Sequence, residues 1–156
     1  MASNMLKLYR SNAFGMNQLI SQGCRITELV EKNGNTRSKS ILIVDDDKVI
    51  LDVLARGFKH HGLKVFQAEN AVDGLNLFLK ECPDIVLTDI RMPGDFDGAE
   101  LARRIREQSP GTTIAVITGG DGEIGGILLK NGIADYFFTK PCSINHICKT
   151  LIANKA

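Results

Sequence analysis

The chain has 156 residues and contains no tryptophan, only seven phenylalanines and two tyrosines, four prolines, and no apolar run longer than four residues. Such a run, Ile41-Leu42-Ile43-Val44, falls far short of the ~20 residues that a membrane-spanning helix needs, so membrane insertion is excluded as the expectation. The first 25 residues also lack the ~7–15-residue apolar stretch of a signal peptide, which makes the cytoplasm the expected compartment. Four cysteines, at 24, 82, 142 and 148, form no C-x-x-C pair and no metal-ligand spacing with His60, His61 or His146. They read as reduced thiols that mostly pack, not as a disulfide scaffold or a zinc site. Charge of one sign is missing too, with 19 Lys plus Arg against 18 Asp plus Glu. What remains is an ordinary soluble composition, long enough for one domain with a single core.

The near-neutral total hides a division. Residues 1–40 carry six basic and two acidic groups, a balance of +4, and residues 41–156 carry thirteen and sixteen, a balance of −3. A mildly acidic domain without a basic stripe is a poor match for the phosphate backbone, so direct nucleic-acid binding is not expected. The stretch from Asn33 to Ser40 is a polar linker by composition. Upstream of it, Met16, Leu19 and Ile20, then Ile26, Leu29 and Val30, make two helical patches too short to be stable alone. Residues 1–39 are therefore expected to be a basic arm, disordered or helical against a partner, and residues 40–156 the folded domain.

From Ile41 onward, short apolar runs alternate with amphipathic segments, the pattern of a parallel α/β sheet covered by helices. The runs at 41–44, 65–66, 85–87, 114–117 and 136–138 read as five strands. Four of them are too apolar for a half-exposed sheet. Helices are expected around Ile50, Val53 and Leu54, closed by Gly62; after an Asn70 cap, with Val72, Leu75 and Phe78 or Leu79 inward and Pro83 as the stop; and around Leu101, Ala102 and Ile105. After Ser143, residues Ile144, Ile147, Cys148, Leu151 and Ile152 fall at i, i+3, i+4, i+7 and i+8. The remaining helix is weak, because Gly119, Gly120, Gly122, Gly125 and Gly126 crowd its start and each interior glycine costs ~1 kcal/mol against alanine. It is expected to begin near Gly126, with either a long loop or a soft switch element before it.

In open α/β sheets the chemistry collects at the carboxyl ends of the strands. Here those ends hold Asp45-Asp46-Asp47, Asp89, Thr118 and Lys140. Clustered carboxylates need a cation, and hard oxygen ligands favour Mg²⁺. A lysine and a hydroxyl across from the cluster leave room for a tetrahedral anion, so the set reads as a phosphoryl site that includes its own nucleophile. Taken singly, Asp46 or Asp47 is equally a helix N-cap, Thr118 strand-end packing and Lys140 a solvated charge. Asp89 is harder to explain away, since an acid ending a buried strand requires compensation.

The text Ile-Leu-Ile-Val-Asp45-Asp46-Asp47, Leu-Thr-Asp89-Ile-Arg-Met-Pro93-Gly, Ile-Thr118-Gly and Thr-Lys140-Pro141 resembles the response regulator receiver domains of two-component signalling, in order, over 41 to about 154. The resemblance implies a flavodoxin-like (βα)5 fold with parallel strands in the order 2-1-3-4-5. It implies that Asp89 is the phosphoacceptor, that Asp46 directly, Asp45 through water and the Arg91 carbonyl join Asp89 in holding Mg²⁺, and that Thr118 and Lys140 contact the phosphoryl group. A cis peptide before Pro141 and a switch pair of Thr118 and Phe137 are implied as well. The loop Met92 to Gly98 is one residue longer than the usual form, and Cys142 stands where an aromatic is common, here as a small packing residue. In that family the positions two after the acceptor and two after the strand-four threonine govern loss of the phosphoryl group. Here they are Arg91 and Gly120, neither able to align a water, which implies slow decay unless Asp95 or Asp121 takes that part.

The function so implied is a phosphorelay module with no enzymatic activity beyond its own phosphorylation and dephosphorylation. Its partners would be a histidine kinase or phosphotransfer protein and a downstream protein target, with a homodimer possible. A single-domain regulator is expected, and a receiver piece of a hybrid histidine kinase or larger regulator is the alternative. A Mg²⁺-dependent small-molecule phosphatase working through an aspartyl-phosphate is the remote one, since such an enzyme needs a substrate-enclosing insert and every connection here is short.

Overall fold

The computed structural model describes residues 38–120 and 122–153. Ten elements alternate: β1 (Ser40–Val44), α1 (Lys48–His60), β2 (Lys64–Ala68), α2 (Ala71–Glu81), β3 (Ile85–Asp89), α3 (Gly98–Gln108), β4 (Thr113–Thr118), α4 (Gly122–Lys130), β5 (Tyr136–Thr139) and α5 (Ile144–Ala153). All strand pairs are parallel, in the order β2-β1-β3-β4-β5. The expected fold class is therefore observed. The arm patches at 16–30 and Cys24 lie outside the described residues. Among the described residues no helix is long and apolar enough to cross a membrane.

Strand alternation sends side chains to two cores. Ile41, Ile43, Leu87, Ala115 and Ile117 meet α1 and α5 through Leu54, Phe58, Ile147 and Leu151. Leu42, Val44, Val86, Ile114 and Val116 meet α2, α3 and α4 through Phe78, Leu101, Ile105 and Leu128. The central strands are buried except at Thr113, and β5, at an edge of the sheet as the order 2-1-3-4-5 implies, has Tyr136 and Phe137 half-buried. Side-chain oxygens of Asp47, Asn70 and Asp97 accept backbone N–H bonds at the starts of α1, α2 and α3. Gly62 closes α1 at φ +82°, a value that suits only glycine well. Cys82, Cys142 and Cys148 are free thiols, and Cys148 is buried between helices, where desolvation raises its pKa.

Two expectations about the helices need correction. Val72, expected to face inward, is 54% exposed. The inward rows are Leu51, Leu54, Ala55 and Phe58 on α1, and Ala71, Gly74 and Phe78 on α2. Small residues fill α2's row because it sits close on β1: a Cβ at Gly74 would lie 2.9 Å from Val44 Cγ2. Finally, α4 begins at Gly122, not near Gly126. Its glycines accept the Phe137 ring, which would stand 2.4 Å from a Cβ at Gly125, so contact with β5 repays the poor helix propensity.

Candidate functional site

The parallel register brings the polar strand ends to one edge of the sheet. Asp89 pairs with Ile117, Thr118 pairs with Thr139, and the Lys140 N–H donates to the Thr118 carbonyl at 2.8 Å. The Lys140-Pro141 bond is cis, as expected. From this edge the Lys140 ammonium donates to Asp45 Oδ2 at 2.8 Å and to Asp89 Oδ2 at 3.0 Å. The other oxygens are held by their own turns, Asp45 Oδ1 by the Asp47 N–H at 2.9 Å and Asp89 Oδ1 by the Arg91 N–H at 3.2 Å.

The two possible caps of α1 now separate. Asp47 Oδ1 accepts from Val49 N–H at 2.8 Å, so Asp47 is the cap. Asp46 is exposed, and its carboxylate oxygen lies with those of Asp45 and Asp89 within a mutual 4.8 Å. Three carboxylates against one ammonium form a hard-oxygen donor set of the kind that takes a small divalent cation, so the chemistry of the site fits Mg²⁺.

Burial sharpens the electrostatics. Asp45 is 1% and Asp89 7% exposed. Desolvation raises the Asp89 pKa above the ordinary carboxylate value, with Lys140 pulling the other way and the charge of Asp45 adding to the rise. For Lys140, burial works to lower the pKa, but its bonds to Asp45 and Asp89 outweigh it and the net displacement is upward. The ammonium therefore stays charged between the two buried acids.

The other expected residues take these places. Thr118 is buried, and its Oγ1 accepts the Gly120 N–H at 3.3 Å. The Phe137 ring lies against Gly122 and Gly125 of α4. The Arg91 side chain crosses to the loop after β4, where its Nε would be 3.3 Å from a Cβ at Gly120. Cys142 packs against the α1/α5 core, as a small residue there should. In the longer loop, Asp97 caps α3 and the Arg104 guanidinium covers the Phe96 ring at 4.5 Å.

Two residues beside Asp89 were not singled out from sequence. The Thr88 hydroxyl donates to the Asp89 carbonyl at 2.9 Å, and a Cβ at Gly98 would fall 1.6 Å from that same oxygen. A glycine at the first position of a helix is the one available signal, since it is a poor helix former unless a close approach requires it.

A family model described as "Response regulator receiver domain" matches residues 41–152. Among solved structures, a CheY-like receiver domain protein from Methanospirillum hungatei JF-1 is 30% identical, with TM-score 0.69, over 74% of this chain and 91% of that one. The signal receiver domain of an HD domain-containing protein from Pseudomonas fluorescens Pf-5 is 28% identical, with TM-score 0.68, over 74% and 92%. A receiver domain protein from Clostridium thermocellum is 27% identical, with TM-score 0.65, over 70% and 88%.

Proposed function

Because the chain belongs to the response regulator receiver domain family of two-component signalling, we propose that Asp89 is its phosphoacceptor and that the modification switches a protein-binding face. The observation that carries this reading is the buried Asp89 carboxylate held beside the Lys140 ammonium and within reach of two further carboxylates. An Asp89 oxygen attacks the phosphorus of a phosphohistidine on a histidine kinase or phosphotransfer protein. The O–P bond forms as the P–N bond breaks, and the imidazole departs with the electron pair. Asp45, Asp46, Asp89 and the Arg91 carbonyl would hold Mg²⁺, which when bound supplies positive charge to the phosphoryl oxygens. Lys140, already charged, donates to a phosphoryl oxygen, and the Thr118 hydroxyl donates to another. Rearrangement at Thr118 frees Phe137 to leave its seat on α4, which alters the face offered to a downstream target. Incubation with acetyl phosphate and Mg²⁺, read by intact mass, should give one added phosphoryl group; no adduct under any donor would overturn the reading.

The folded module is proposed to begin at residue 40, with the basic arm dispensable for folding and labelling. The local bonds support this. Ser40 N–H and Oγ both donate to Asp84 Oδ2, at 2.7 and 2.9 Å, and the Lys39 carbonyl accepts the Lys64 N–H at 3.0 Å. A shortened chain beginning at Lys39 keeps all three bonds. It should melt cooperatively and label at the rate of the full chain; loss of either in a thermal scan or mass assay would show that the arm contributes to the domain.

Slow loss of the phosphoryl group is expected. Hydrolysis needs a water aligned in line with the phosphorus, and the contact of Arg91 with Gly120 places a donor-only guanidinium beside a residue with no side chain. Asp95 is exposed, and Asp121 lies outside the described residues. The Arg91→Asn, Gly120→Glu double variant also removes the crowding that a lone glutamate would meet at Arg91 Nε. It should decay about tenfold or more faster than wild type after donor removal, a gain below the ~10²–10⁴-fold that a fully positioned acid–base group supplies. Equal decay would mean that these positions do not set the lifetime.

A further inference from the structure

We propose that Thr88 is a positioning residue for phosphoryl transfer, fixing through its hydroxyl the backbone turn that aims Asp89. The inference rests on the reading of Asp89 as acceptor and adds how that group is held.

Two consecutive peptide groups leave the end of β3, and each is bonded at both ends. In the first, the Ile90 N–H donates to the Ile117 carbonyl at 3.0 Å, and the Asp89 carbonyl accepts the Thr88 hydroxyl at 2.9 Å. In the second, the Arg91 N–H donates to Asp89 Oδ1 at 3.2 Å, and the Ile90 carbonyl accepts the Gly98 N–H at 3.1 Å. Of these four bonds, the Arg91 bond orients the acceptor carboxylate directly. Only the Thr88 bond has a side-chain donor. Tilting of the first peptide would carry the second with it, and so would move both Asp89 Oδ1 and the Arg91 carbonyl.

Packing does not explain a threonine at this place. Thr88 is 0% exposed, and its cross-strand row reads Ala68, Val44, Thr88, Val116, Phe137, apolar everywhere else. A valine would fill the same volume without burying a hydroxyl, which is costly unless bonded. The bond it makes is to the acceptor's own carbonyl. Gly98 closes the other side, since its bare Cα lets α3 start directly against that oxygen. The turn is thus clamped between a hydroxyl and a helix start.

The test compares Thr88→Val and Thr88→Ser with wild type, with Thr88→Ala as the hydroxyl-free partner of the serine variant should valine not fold. Initial rates of labelling by acetyl phosphate should fall about tenfold at saturating Mg²⁺ and donor in Thr88→Val and Thr88→Ala, as misplacement of a reacting group by a fraction of an ångström can cause. Thr88→Ser should restore the rate. Thermal stability of Thr88→Val should equal or exceed that of wild type, so that the rate loss cannot come from unfolding. In metal-free protein, amide exchange at Ile90 and Arg91 should quicken in the hydroxyl-free variants only. Wild-type rate and exchange in both Thr88→Val and Thr88→Ala would overturn the inference while leaving Asp89 as acceptor. Failure of wild type itself to label would remove both together.

Discussion

Asp89→Asn should accept no phosphoryl group from acetyl phosphate in Mg²⁺, while wild type gains one, and a chelator should silence wild type to the same degree. The amide oxygen lacks the negative charge of the carboxylate, so it is a far weaker nucleophile. An undiminished adduct in Asp89→Asn would sink the assignment.

The same substitution should raise the melting temperature of the metal-free protein, and the size of the gain should depend on pH in a definite direction. Burial holds the Asp89 pKa above its unfolded value, with Lys140 offsetting only part of the rise. A group whose folded pKa is raised binds its proton more tightly in the native state. Its contribution to stability is therefore largest at low pH and is lost as pH climbs from the unfolded pKa through the folded one. Asparagine does not titrate. The advantage of Asp89→Asn should then be small in acid, grow across the window above the ordinary carboxylate value, and level off at neutral pH. Paired thermal melts at acid and neutral pH check this; a gain that shrinks as pH rises would show that Lys140, not burial, dominates the site.

The sheet was legible because buried parallel strands read as uninterrupted apolar runs, and the central three of this sheet are buried along nearly their whole length. The helix faces were less so. The apolar Val72 drew the inward face of α2 away from Ala71 and Gly74, whose smallness is what lets α2 approach Val44. The glycines of α4 looked like a late helix start until the Phe137 ring supplied the packing that propensity lacks. At the site, acids and lysine at strand ends stood out because ionisable groups seldom end buried strands. Asp46 and Asp47 could not be told apart, since adjacent acids both suit a cap, and only the bonds to Val49 and Ile50 N–H decide. Thr88 was invisible for a different reason. Threonine is a good strand former, so its presence in β3 raises no question until the carbonyl beside it is seen.

Gly98→Ala puts propensity and contact in direct opposition, which makes its sign informative. Alanine in place of a helical glycine normally stabilises by about 1 kcal/mol. At Gly98, however, the new methyl would stand 1.6 Å from the Asp89 carbonyl oxygen, 2.7 Å from its carbon and 2.8 Å from Thr88 Oγ1. Backbone cannot yield as a side-chain tip can, so either α3 backs away from β3 or the carbonyl turns and breaks its bond with Thr88. The expected result is a loss of about 3 kcal/mol or more, at the upper end of overpacking effects, together with slower labelling of Asp89. Gly126→Ala is the matching control. It lies exposed within α4, and a Cβ there meets nothing within 4 Å, so the ordinary gain of about 1 kcal/mol should appear with labelling unchanged. Denaturant midpoints of the two variants settle the comparison. Were Gly98→Ala as stable as Gly126→Ala, the start of α3 would not rest on the acceptor's backbone, and the rigidity ascribed to that turn would have to come from its remaining hydrogen bonds alone.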